Sequence, residues 1–159
     1  MEEPVTGAGN PFPEKLFVLS SPEELSRAAT GRLWGIVRER AAAQARAGKA
    51  APPIRVALSG GETPRRTCEV LAAEPYRTGF PWDSVHFFQV DERWVPPGDP
   101  LSNRRMLHEA LLSRAPVPPA NFHPVDTSLP GPEEGARRYE DLLRNEFPVP
   151  AGGYPRFDA

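Results

Sequence analysis

Cysteine is almost missing from this chain. Cys68 is the only one in 159 residues, so no disulfide can form within it. Histidine is scarce as well, with His86, His108 and His123 scattered singly. No Cys/His cluster has metal-ligand spacing, and neither a metal nor another cofactor is expected. An excess of one charge is also lacking: 19 Lys and Arg against 21 Asp and Glu leave a net charge of −2. That balance argues against a nucleic-acid partner or a membrane-surface role, because no strongly basic face is available for phosphate backbones. No apolar run approaches the roughly 18 residues needed to span a bilayer. The opening Met1–Asn10 has no charged-then-apolar signal pattern. These absences fit a cytoplasmic protein.

Proline, by contrast, is plentiful at 21 residues, but it falls mainly between apolar segments rather than in one tract. A folded domain with sharp connections is the expectation, preceded by a flexible leader over residues 1–14. From residue 15 onward, strand and helix signals alternate. Lys15–Leu19 suits a buried strand. Ser21-Pro22-Glu23-Glu24 supplies an N-cap, a proline at the first helical position and acidic residues at the positive helix end. A long helix should follow to about Ala47, with Leu25, Ala29, Leu33, Ile36, Val37 and Ala41 at helical spacing. Ile54–Leu58 and Val85–Val90 read as buried strands, and Thr63-Pro64 opens a helix through about Ala73. Ser102 caps a helix containing Met106, Leu107, Leu111 and Leu112, and Asn121–Val125 forms a short strand. A last helix starts at Pro132, with Ala136, Tyr139, Leu142 and Leu143 on one side. Gly152–Asp158 reads as the approach to a further strand. The alternation predicts an α/β fold, a mostly parallel sheet flanked by helices, whose ligands bind beyond the carboxyl ends of the strands.

Two segments of unusual composition fall at such ends. In Leu58-Ser59-Gly60-Gly61-Glu62-Thr63-Pro64, adjacent glycines let backbone N–H groups approach a ligand, and Thr63 can cap the following helix. A phosphate suits that seat; an ordinary strand-to-helix turn explains the glycines equally well. In Val90-Asp91-Glu92-Arg93-Trp94-Val95-Pro96-Pro97, Arg93 offers a rigid fork for a phosphate. Asp91 can accept hydrogen bonds from sugar hydroxyls or take a proton. An Asp–Arg ion pair closing the loop is the structural alternative. The three histidines lie in predicted strands or a helix, where packing or solvent exposure accounts for them, and Cys68 reads as a small buried filler.

These two motifs, followed by Asp99-Pro100-Leu101-Ser102-Asn103 and joined by Phe80–Asp83 and Asn121–Val125, resemble the 6-phosphogluconolactonase family. The resemblance covers most of the chain from about Lys15. It implies a metal-free, cofactor-free hydrolase that opens 6-phosphogluconolactone to 6-phosphogluconate in the oxidative pentose phosphate pathway. It also implies that Ser59, Gly60, Gly61, Thr63 and Arg93 hold the sugar phosphate, with Asp91 lining the substrate site. Glu62 stands where a serine is common in the family, and its carboxylate is expected to turn away from the ligand.

The family's general base is a histidine in a Gly-x-Asp-Gly-His-Thr segment, which is expected beyond Ala159. Residues 15–159 are therefore expected to be the N-terminal part of a single lactonase-like domain, with little activity alone. An unpaired sheet edge and self-association are expected with it. Two rival readings stay open. One is a deaminase of the glucosamine-6-phosphate type, with Asp91 as the base, although those enzymes carry a tyrosine at the place of Arg93. The other is a non-catalytic sugar-phosphate-binding module.

Overall fold

The structure, a computed structural model, describes residues 17–47, 52–148 and 153–159. Three strands form one parallel sheet in the order β1-β2-β3: β1 Ile54–Leu58, β2 Val85–Gln89 and β3 Phe122–His123. β1 and β2 pair in register from Ile54↔Val85 to Leu58↔Gln89, and Phe87 and Phe88 pair with Phe122 and His123. Parallel neighbours need long crossovers, and the helices α2 (Glu62–Leu71) and α3 (Tyr76–Gly79) fill the first of them. The expected α/β architecture is the one observed.

Period-two alternation divides the sheet's two faces. Val85 and Phe87 of β2 and Ile54 and Val56 of β1 face one side, where they pack with Val37, Cys68, Leu71, Leu107 and Leu111. These come from α1 (Pro22–Ala47), α2, α4 (Asn103–Leu107) and the π-helical turn His108–Leu112 that continues α4. On the other face Phe88 stacks on His123 and meets Phe147 and Phe157. Phe147 directly follows α5 (Pro132–Glu146).

Ser21 caps α1 as its sequence suggests, its Oγ accepting from Glu24 N at 3.2 Å. The buried stripe of α1 is shifted from the expected one. Leu25 is exposed, whereas Ser26 and Thr30 are buried. The Thr30 hydroxyl lies against Ser26 O and Thr67 O, at 2.8 and 3.2 Å, so small polar residues let α1 approach α2 closely. Cys68 is buried at the centre of α2, and burial pushes its thiol up to about 12.

Two sequence expectations are corrected here. Phe17–Leu19, the described part of the Lys15–Leu19 run, is not a strand; Phe17 and Val18 are exposed. The place beside β1 is taken instead by the C-terminal residues. Asp158 N donates to Arg55 O and Ala57 N donates to Ala159 O, both at 2.8 Å. The outer edge of β1 is therefore occupied along Arg55–Ala57, whereas β3 pairs only with β2 among the described residues, so a sheet edge remains on that side. In α5, Ala136 is exposed and Gly135 is the buried residue, because Trp94 packs there. The expected leader, residues 1–14, lies outside the described residues.

Candidate functional site

The site forms where β1 and β2 end. The ladder runs one step past Leu58↔Gln89, with Val90 N donating to Leu58 O at 3.0 Å. Ser59-Gly60-Gly61 and Asp91-Glu92-Arg93 therefore leave neighbouring strands at the same edge of the sheet.

Each glycine of the turn is required for a different reason. Gly61 has φ of +105° and ψ of 174°, a conformation that essentially only glycine adopts. It is the N-cap of α2, and its carbonyl accepts the first helical bond from Arg65 N. Thr63 thus lies inside the first turn and not at the cap, which corrects the capping role expected for it. An N-cap residue must stand outside helical geometry, and Gly61 already meets that need. The amides of Glu62 and Thr63 sit in the first turn, where no intrahelical acceptor exists, and Pro64 has no N–H to add.

Gly60 is required by contact. A Cβ there would lie 2.0 Å from Asn103 Oδ1. Asn103 cannot easily step aside. Its Nδ2 donates to both the carbonyl and the Oδ2 of Asp91, each at 3.1 Å, and its N–H donates to Glu92 Oε1 at 2.7 Å. One asparagine therefore ties the glycine turn to the carboxylate at the end of β2. Asp91 and Arg93 form no ion pair among the described residues; Asp91 is held by the Asn103 amide instead.

Glu92 is the organising residue that sequence reasoning missed. Its carboxylate accepts from Gln89 Nε2 at 3.0 Å, Arg93 N at 2.7 Å, Ser102 Oγ at 3.2 Å, Asn103 N at 2.7 Å and Arg104 N at 2.8 Å. It satisfies the orphan amides at the start of α4, where Ser102 also caps Arg105 N. Burial is the largest influence on its carboxyl and opposes the charge. The hydrogen bonds from Gln89 and from the amides of Arg104, Arg93 and Asn103 outweigh it and hold the group below the usual carboxylate range. The only available signal was its place between Asp91 and Arg93, which drew attention away from it.

Ser59, Gly61, Thr63, Asp91 and Arg93 are exposed and Gly60 is half-buried, so this edge is open to a ligand. Arg93 donates its N–H to Glu92, and its guanidinium has no partner among the described residues. The structure brings Gly60, Asn103, Asp91 and Glu92 into direct contact; Ser59, Thr63 and Arg93 share the edge, and among the described residues their side chains make no hydrogen bond or ion pair to that cluster. Glu62 is drawn to Arg66, with Oε1 3.0 Å from Nε. The histidines lie elsewhere. His108 is exposed on its helix, and His86 and His123 face each other beneath α5.

Comparison with known proteins places the chain in a family. Residues 21–159 match the family model described as glucosamine-6-phosphate isomerases/6-phosphogluconolactonase. The chain is 44% identical over 103 residues to a Synechocystis 6-phosphogluconolactonase, covering 65% of this chain and 41% of that protein. It is 46% identical over 92 residues to the Thermotoga maritima 6-phosphogluconolactonase, covering 58% and 40%. The crystal structure of the latter superposes with a TM-score of 0.66 at 34% identity, covering 79% of this chain and 52% of that one. A 6-phosphogluconolactonase from Trypanosoma cruzi superposes with a TM-score of 0.72 at 28% identity, covering 88% and 54%. The chain thus spans about two fifths of the length of these sequence relatives.

Proposed function

Because the chain belongs to the glucosamine-6-phosphate isomerase/6-phosphogluconolactonase family, we propose that its open sheet edge is the phosphate-gripping part of a site for hydrolysing 6-phosphogluconolactone to 6-phosphogluconate. The observation that carries this reading is the Gly60–Asn103–Asp91 contact, which sets the glycine turn beside the carboxylate of the neighbouring strand. A sugar phosphate laid across that edge meets the amides at the start of α2 at one end and the Asp91 carboxylate at the other. Ser59, Gly60, Gly61 and Thr63 form the anion seat. Arg93 supplies the charge and the bidentate geometry that a phosphate prefers. Asp91, steadied by Asn103, accepts from sugar hydroxyls.

Lactone opening also needs a base that activates water. Among the described residues no histidine stands at this edge, so the contribution assigned to this chain is binding and orientation. Its partner is a small sugar phosphate, not nucleic acid. Among the described residues no helix is long and apolar enough to cross a membrane, and a cytoplasmic location fits a substrate of central carbohydrate metabolism. Val90 and Leu101 are 61% and 66% exposed near the site. They favour self-association, which size-exclusion chromatography over a concentration series reads directly.

The decisive experiment is titration of the isotope-labelled protein with 6-phosphogluconate. Amide shifts at Gly60, Gly61 and Thr63 together with Arg93 Nε support the reading. Shifts that skip both segments overturn it. Stronger shifts with glucosamine 6-phosphate would move the assignment to the deaminase branch.

A further inference from the structure

We propose that His86, His123 and Glu146 form a binding site for one divalent transition-metal ion of the zinc class, fastening α5 to the sheet on the face away from the main core. The residues come from β2, β3 and the last position of α5, and a ligand atom from each lies within 4.8 Å of the others. His86 Nδ1 is 3.0 Å from His123 Nε2 and 4.0 Å from Glu146 Oε2. Tetrahedral zinc with bonds of about 2.0–2.1 Å places its ligand atoms roughly 3.3 Å apart. The two nitrogens are therefore already at nearly the required separation, and a modest side-chain rotation brings the carboxylate in.

The donor set suits the ion. Two imidazoles and one carboxylate leave a fourth position for water, a combination that zinc accepts. A neutral imidazole carries one proton. With that proton on the outward nitrogen of each ring, both inward nitrogens present lone pairs, so the two imidazoles need only a tautomer change to ligate. Burial holds both histidines below the usual imidazole range, which favours the neutral form.

The rings are held in place before any ion arrives. Phe88, fully buried, stacks on His123 with centroids 4.3 Å apart and planes 8° from parallel. The His123 carbonyl lies 3.3 Å from the Tyr139 hydroxyl on α5. Arg55 is the opposing charge nearby. Its guanidinium is engaged with the Glu146 carbonyl and lies over the Phe147 ring, 4.6 Å from the centroid. His86 and Glu146 keep partial solvent exposure, at 22% and 36% of their side chains, so an ion has a way in.

The test is titration of the metal-free protein with cobalt(II), then displacement by zinc. One cobalt per chain with the visible bands of a four-coordinate N/O site is expected. His86→Gln, His123→Gln and Glu146→Gln should each weaken binding at least about ten-fold, while His108→Gln leaves it unchanged. Nitrogen-15 imidazole spectra of the unmodified protein guard against variants that fail to fold. Zinc should shift His86 Nδ1 and His123 Nε2 and leave His108 where it was. Undiminished cobalt binding in the folded triple variant, or zinc shifts confined to His108, would overturn the proposal.

Discussion

Asn103 Oδ1 occupies the space that a β-carbon on Gly60 would need, 2.0 Å from the ideal position. Since Asn103 is pinned to Asp91 and Glu92, it cannot yield without unmaking the end of β2. Gly60→Ala is therefore expected to weaken 6-phosphogluconate binding at least about ten-fold and to move the Asn103 side-chain amide resonances. Gly61→Ala should act through the backbone, costing about 1–3 kcal/mol of stability because its φ is positive. Chemical denaturation of the two variants separates contact from conformation. A Gly60→Ala protein with native affinity would contradict the first expectation.

Arg93 gives a prediction about ligand geometry. Arg93→Ala should weaken phosphate-bearing ligands by roughly ten- to a hundredfold, and Arg93→Lys should restore only part of this because an ammonium lacks the planar fork. Comparing 6-phosphogluconate with gluconate by calorimetry isolates the phosphate contribution. Equal losses for both ligands would place Arg93 away from the phosphate.

Glu92 makes stability depend on pH. Its carboxyl titrates below its ordinary 4.5 in the folded protein, so the unfolded chain takes up the proton first as pH falls. The stabilisation is complete above pH 4.5 and disappears as pH drops through the folded value. Glu92→Gln is expected to lose about 1–2 kcal/mol at neutral pH. The gap to the native protein should stay constant down to pH 5 and then narrow. Urea unfolding across that range measures it, and a gap that widens in acid would be inconsistent with this role.

How much of this was legible in the sequence depended on whether the cause was local. β1, β2, α1 and the start of α5 were readable because their signals, apolar runs and first-turn prolines and acids, lie within the segments themselves. Lys15–Leu19 carried the same apolar signal but misled, since a strand needs an edge and Asp158 and Ala159 hold the one beside β1. Thr63 misled because the capping rule scores residue type, whereas Gly61 took the place through a dihedral that only the fold reveals. Gly60 was recognised as a close-approach glycine, but its contact, Asn103, lies far along the chain. Glu92 and the His86–His123–Glu146 grouping were invisible for the same reason. Their partners converge only after the sheet forms.

Gly135 offers a test of packing at the rim of the site. Glycine-to-alanine changes within helices usually stabilise by about 0.5–1 kcal/mol. Here the new Cβ would stand 2.5 Å from the Trp94 ring. Gly135→Ala is expected to destabilise the protein and shift its tryptophan emission. In a Trp94→Ala background the same change should recover the usual gain. A stabilising effect in both backgrounds would remove Trp94 from the account.

Cys68 has a practical consequence. As the chain's sole thiol, sealed within α2 and almost fully protonated at neutral pH, it stays silent toward alkylating reagents while the main core is closed. Its labelling rate is then a clock for transient opening beneath the glycine turn. A ligand that tightens the turn slows the clock, and a cysteine introduced on the surface can carry a fluorophore without interference from the native one.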